Sequence, residues 1–115
     1  MSKTIKRIVG DHGESLACTW LRQHGFSILD QNVSNQFGEI DIIALKQNVV
    51  HFIEVKTRQQ PTFGFGVDSV DQRKLRAIIN TAQTLASVRF AGRPYCLDVL
   101  SIDQGVIRFF ENITV

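Results

Sequence analysis

Three charged side chains interrupt the two most strand-like runs of this sequence. Asp41 stands within Gly38-Glu39-Ile40-Asp41-Ile42-Ile43-Ala44, and Glu54 and Lys56 stand within Phe52-Ile53-Glu54-Val55-Lys56-Thr57-Arg58. A charge set among Ile and Val is costly to bury unless it is paired or bound. Two carboxylates followed closely by a lysine make a donor set for a hard divalent cation, Mg²⁺ or Mn²⁺, which takes one or two carboxylates and a substrate phosphate. The chemistry such a set serves is metal-assisted hydrolysis of a phosphodiester. Lys56 would orient the attacking water and offset charge on the phosphate, a task that suits a compact ammonium whose pKa can shift.

These residues need two strands to hold them. The polar break Lys46-Gln47-Asn48 separates two apolar runs and predicts a hairpin. With Gln47-Asn48 as the turn, facing residues have numbers that sum to 95. Asp41 then faces Glu54, and Glu39 faces Lys56. Directly opposed residues have Cβ atoms roughly 5 Å apart, and like charges placed so destabilise the pair. A bound cation, a shared proton or the nearby Lys56 would each compensate. Side chains two apart share a face, so Glu39, Asp41, Ile43 and Leu45 point with Val50, Phe52, Glu54 and Lys56. Ile40, Ile42, Ala44, Val49, His51, Ile53 and Val55 point the other way. Both faces are apolar near the turn, so the sheet is expected to be covered on both sides, with the charges at the end away from the turn.

The remaining elements follow from periodicity. Ile5, Ile8, Val9, Leu16, Ala17, Trp20 and Leu21 form a helical stripe ending near His24-Gly25, where Gly25 suits the cap. Gly10 and Gly13 weaken its start and move the regular part towards Asp11. Phe26 to Val33 reads as a strand. A loop over Gln59 to Gly66 carries Phe63 and Phe65, which either close a corner of the core or stack on unpaired bases. Ser69 with Gln72 has the form of a capping box. It opens a helix to about Val88 that turns Leu75, Ile78, Ile79, Ala82, Leu85 and Ala86 inward. Tyr95 to Ile102 and Val106 to Phe110 complete the strands. The expected architecture is α/β, a mixed sheet with a helix on each face, in one domain spanning residues 1–115.

Basic residues gather near the same region. Arg58 directly follows the second strand motif. Arg73, Lys74 and Arg76 crowd the first turns of the second helix, where positive charge opposes the dipole. That placement suits either an anionic partner or a solvated face. Lys74, four residues before the core position Ile78, lies closest to the buried edge.

Asp41 followed by Glu54-Val55-Lys56 resembles the PD-(D/E)XK nuclease motif, with Ile40 in place of the usual proline. The longer phrases Gly38 to Ala44 and Phe52 to Arg58, with Gly13-Glu14 and Leu97-Asp98-Val99, resemble the YraN-like family of small bacterial proteins over nearly the whole chain. The resemblance implies the restriction-endonuclease-like αβββαββ core shared with Holliday-junction resolvases, and an Mg²⁺- or Mn²⁺-dependent endonuclease acting on structured DNA. It implies a metal held by Asp41, Glu54, the backbone carbonyl of Val55 and a helix glutamate, here Glu14. Read from the residues alone, Glu14 is equally a solvated helix acid. Glu39 would stand behind the metal, pairing with Lys56 or binding an outer water. A nucleic-acid-binding module of the same fold that does not cut is the alternative reading. A partner-binding protein with a non-catalytic metal is a third.

Composition narrows the class without choosing among these. The chain has 115 residues, 43% hydrophobic and 21% charged, with a formal net charge of +2. That charge is too small to establish nucleic-acid binding, so any basic surface must be local. The first nine residues are basic without an apolar stretch of signal-peptide length, and no run approaches the ~20 apolar residues of a membrane span. A cytoplasmic protein with reduced Cys18 and Cys96 is expected. Neither cysteine has ligand spacing, nor do His12, His24 and His51, so all five read as structural. His51 should face away from Glu54. Asp98 interrupts a strand, with an arginine as its expected partner. Cutting a junction would require two active sites and therefore a homodimer.

Overall fold

The computed structural model describes residues 5–58 and 72–113. The chain runs α1 (Ile5–Gln23), β1 (Ser27–Asn35), β2 (Gly38–Lys46), β3 (Val49–Arg58), α2 (Gln72–Arg89), β4 (Tyr95–Asp103) and β5 (Val106–Phe110). The order αβββαββ is the expected one. Helix α1 begins earlier than its glycines suggest, running unbroken through Gly10 and Gly13 from Ile5. The Ser69 capping box and the Gln59 to Gly66 loop, with Phe63 and Phe65, lie outside the described residues.

Each local signal acts through an identifiable bond. Gly25 takes φ +89°, and Phe26 N–H and Gly25 N–H reach back to the carbonyls of Leu21 and Arg22 at 3.0 and 3.2 Å. This is a Schellman end, in which the left-handed glycine turns the chain so that two orphan carbonyls are satisfied. Leu21 and Phe26, brought together by it, both enter the core. Gln47 and Asn48 take φ 49° and 67°, and Gln104 and Gly105 take 50° and 82°. Both are two-residue hairpins with positive φ at each central position, the twist that matches the flanking strands.

The five strands form one sheet in the order β1-β2-β3-β4-β5. All neighbours are antiparallel except β3 and β4, which run parallel with Glu54 beside Val99 and Lys56 beside Ser101. A parallel pair needs a long crossover, and α2 lies within it. Strand β3 is therefore central and covered twice. Ile53 packs with Ala17, Cys18 and Leu21 of α1, whereas its neighbour Phe52 packs with Ile78, Ala82 and Leu85 of α2. Successive strand residues point to opposite faces, so the helices lie on opposite sides of the sheet, as expected. No helix among the described residues is long and apolar enough to cross a membrane.

Two glycines set how closely the helices approach. A Cβ built on Gly13 of α1 would lie 2.1 Å from Thr57 Oγ1 on β3, and one on Gly38 of β2 would lie 3.1 Å from Thr81 Oγ1 on α2. Gly13 should therefore resist substitution even though alanine favours helix by about 0.5–1 kcal/mol. Overpacking of this kind costs about 1–3 kcal/mol. Gly13→Ala is expected to be net destabilised in urea unfolding, with part of the loss recovered when Thr57→Ala is added. An alanine variant as stable as the parent would show that α1 does not depend on this contact.

Candidate functional site

The hairpin register holds from the turn outwards and then stops. Lys46–Val49 through Ile42–Ile53 pair with numbers summing to 95, as the sequence requires. The ladder ends there, one pair short of Asp41 and Glu54. Strand β2 keeps its pairing with β1, where Glu39 sits beside Ser34, so the expected Glu39–Lys56 pair across the hairpin is not part of the ladder. Past the end of the ladder, Asp41 Oδ2 accepts the Val55 N–H at 2.8 Å. A backbone donor that has lost its strand partner must find another acceptor when buried, and this carboxylate is it. The structure thus places Val55 at the site through its N–H. Ile40 packs in the α2-side cluster, against strict alternation, at the stretch where the pleat is no longer held by β3.

Asp41 and Glu54 meet on the α2 side of the sheet and share a side-chain hydrogen bond. Only one proton-bearing carboxyl can donate in such a bond. Burial, and then the charge of Asp41, push Glu54 up to about 7. Burial also raises Asp41, with Glu39 adding to the rise and the Val55 N–H opposing it. The pair is thus two acids that cannot both ionise cheaply, the arrangement that a shared proton or a cation resolves. Lys74 Nζ lies 3.8 Å from Glu54 Oε1, whose side chain is only 13% exposed. The Lys56 charge also acts on Glu54, stabilising its ionised form. A cavity of about 280 Å³ opens here, lined by Gly38, Glu39, Asp41, Glu54, Lys74, Ala77 and Ile78.

Other expected residues fall around or away from this cavity. Glu14 lines a different one of about 420 Å³, with Cys18, Arg22, Gln31 and Asn32 between α1 and β1. Arg73 and Arg76 are exposed on the first turns of α2, beside Lys74. Arg58 ends β3 opposite Asp103, and its side chain lies outside the described residues.

A second group was not legible from spacing. His51, on β3, and Cys96, on β4, sit side by side in the parallel ladder. His51 Nδ1 lies 2.6 Å from Asp98 Oδ2 and 3.1 Å from Cys96 Sγ. Cys96 Sγ lies 3.3 Å from Asp98 Oδ1, which also accepts the Asn112 N–H at 2.8 Å. Asp98, wholly buried, therefore has His51 where an arginine was expected. Burial and the Asp98 charge push the Cys96 thiol up to about 12. Among the described residues, these three are the one group of histidine, cysteine and acid side chains with all ligand atoms within 4.8 Å of one another. His51 is buried and hydrogen-bonded, as a structural histidine should be, but spacing could not show the grouping: His51 and Cys96 lie 45 positions apart in the chain, and a parallel ladder erases that separation. His24 does conform to a structural role, stacking on Trp20 at 3.7 Å.

The Glu54 shift fixes a pH dependence. Its ordinary value is 4.5 and its folded value about 7, so within that window the folded chain holds more protons than the unfolded one. The contribution of this group to stability is then complete below the window, falls as pH rises through it and is gone above it. Glu54→Gln removes the titration. In metal-free buffer it should exceed the parent by on the order of 2–3 kcal/mol at about pH 8 and match it at about pH 4. Identical pH profiles in urea unfolding would refute the shared proton.

Comparison with known proteins shows kinship. The profile of the family described as "Uncharacterised protein family UPF0102" matches residues 13–102. A UPF0102 protein of Helicobacter hepaticus is 39% identical over 108 residues, covering 92% of this chain and 94% of its own. One from Helicobacter pylori strain G27 is 37% identical over 110 residues, covering 94% and 92%. One from Campylobacter jejuni is 39% identical over 103 residues, covering 89% of each.

Proposed function

The chain belongs to the UPF0102 family, the YraN-like group that its motifs resemble, and we propose that it is an Mg²⁺- or Mn²⁺-dependent endonuclease acting on structured DNA. One observation carries the reading: two carboxylates from strands that have just parted meet in a cavity, joined by one hydrogen bond, with a lysine from the facing helix at 3.8 Å. Structural ion pairs join opposite charges. A pair of like charges, half-buried at the end of a ladder, is the arrangement of a site awaiting a cation. The donors are all oxygens, which suits a hard ion.

When bound, such an ion supplies charge neutralisation at the phosphate and a water of lowered pKa. The protein's own groups do the rest. Asp41 is held by the Val55 N–H at the cavity that Glu54 also lines. Glu54 gives up its proton near neutral pH, the condition for acting as ligand or base. Lys56 and Lys74 offset the negative charge that builds on the phosphate. Arg73 and Arg76 continue the positive stripe along the exposed start of α2 and would track a phosphate backbone. The chain has little surface for reading a base sequence, which favours substrates distinguished by shape. Glu14, which lines the cavity between α1 and β1, would join the metal directly or through a water.

Metal-dependent cleavage of branched, flapped, single-stranded and duplex DNA and RNA tests the proposal. Asp41→Asn, Glu54→Gln and Lys56→Ala are each expected to lower the rate by roughly 10²-fold or more. Lys74→Ala should weaken substrate binding and reduce its salt dependence, leaving a measurable rate. Salt-sensitive binding without cleavage on any substrate would replace the enzyme by a binding module of the same fold.

A further inference from the structure

We propose that His51, Cys96 and Asp98 form a transition-metal site for a Zn²⁺-like ion, separate from the Asp41–Glu54 pair and independent of the nuclease reading. The imidazole Nδ1 has one in-plane direction, occupied by either a proton or a lone pair. Here it faces two partners at once, Asp98 Oδ2 at 2.6 Å and Cys96 Sγ at 3.1 Å. A proton on that line serves one contact well. A cation at the centre of the three groups serves all of them.

The donors choose the ion. A sulfur, an imidazole nitrogen and a carboxylate oxygen are a set for Zn²⁺, not for Mg²⁺, which demands six oxygens. Zn–N and Zn–O bonds near 2.0–2.1 Å and Zn–S near 2.3 Å put tetrahedral ligand atoms roughly 3.3–3.7 Å apart. With Asp98 Oδ2 as the ligating oxygen, its present 2.6 Å from Nδ1 and the 3.1 Å between Nδ1 and Sγ need open by less than about 1 Å, within reach of rotamer adjustment. Cys96 becomes a thiolate on binding, and its proton leaves to solvent.

Access and support are also present. His51 and Cys96 line a cavity of about 460 Å³ together with Lys46, Glu111 and Asn112, through which an ion can enter and a fourth ligand, water or Glu111, can reach it. The Asn112 N–H on Asp98 Oδ1 supplies the outer hydrogen bond that orients a ligating carboxylate. Ile113 N–H bonds the Leu97 carbonyl at 2.8 Å beside it. A metal here would fasten residues 111–113 to the end of the sheet at the β2–β3 turn, away from the proposed catalytic cavity.

The test uses the full chain, stripped with a chelator and titrated with Zn²⁺ against a chromophoric competitor, and in parallel with Co²⁺. One equivalent should be retained by the parent and by Asp41→Asn. Cys96→Ser should weaken retention by at least the roughly 10–100-fold that loss of even an outer hydrogen bond costs. The cobalt form of the parent should show a thiolate charge-transfer band in the near ultraviolet that Cys96→Ser lacks. No retained equivalent in the parent, or equal retention in folded Cys96→Ser, would overturn the site. Should Cys96→Ser fail to fold by circular dichroism, the parent's cobalt spectrum decides alone, and a spectrum without the thiolate band overturns it.

Discussion

Where β2 and β3 part, the Asp41 carboxylate takes the place of the missing strand. Its bond to the Val55 N–H at 2.8 Å satisfies a backbone group that the ladder has abandoned and fixes the carboxylate in orientation. That bond also brings Asp41 beside Glu54, which projects from the preceding residue of the same strand. The ladder's end is therefore both a structural problem and the origin of the site. Had the pairing run one step further, Asp41 and Glu54 would have been ordinary opposed neighbours, with no backbone donor turned towards either.

The two close approaches of helix to sheet lie next to the same region. Gly13 lets α1 reach Thr57 near the end of β3, and Gly38 lets α2 reach the start of β2 through Thr81 and Ala77. Each glycine precedes a glutamate, Glu14 and Glu39. The contact with α2 carries Lys74 to the rim of the cavity, so the cation facing Glu54 is set by packing elsewhere on that helix. Packing of Ile78, Ala82 and Leu85 thus governs an electrostatic distance at the other end of the same element.

Strand β3 separates two kinds of site. Towards its C-terminal end, on the α2 face, Glu54 joins Asp41 in an all-oxygen set. Towards its start, on the α1 face, His51 joins Cys96 and Asp98 in a set of nitrogen, sulfur and oxygen. Three residues along a strand span about 10 Å, and the odd separation puts the side chains on opposite faces. One central strand can therefore present hard and soft donors without letting them compete for the same ion.

Much of this was legible in the sequence because the rules involved are local. The Gln47-Asn48 turn fixes a register, Gly25 ends a helix, and alternation assigns Phe52 and Ile53 to different faces; each depends on neighbours within a few positions. The pairing of Asp41 with Glu54, and the nearness of Lys74, were also within reach, since two-residue turns and helical periods propagate predictably. Only the tertiary structure decided where the ladder stops, because twist and the competing hold of β1 on β2 set that point. It alone opened the cavity between α1 and β1 that Glu14 lines. It alone joined His51 to Cys96, since the register of a parallel pair is set by a crossover that no short-range pattern encodes.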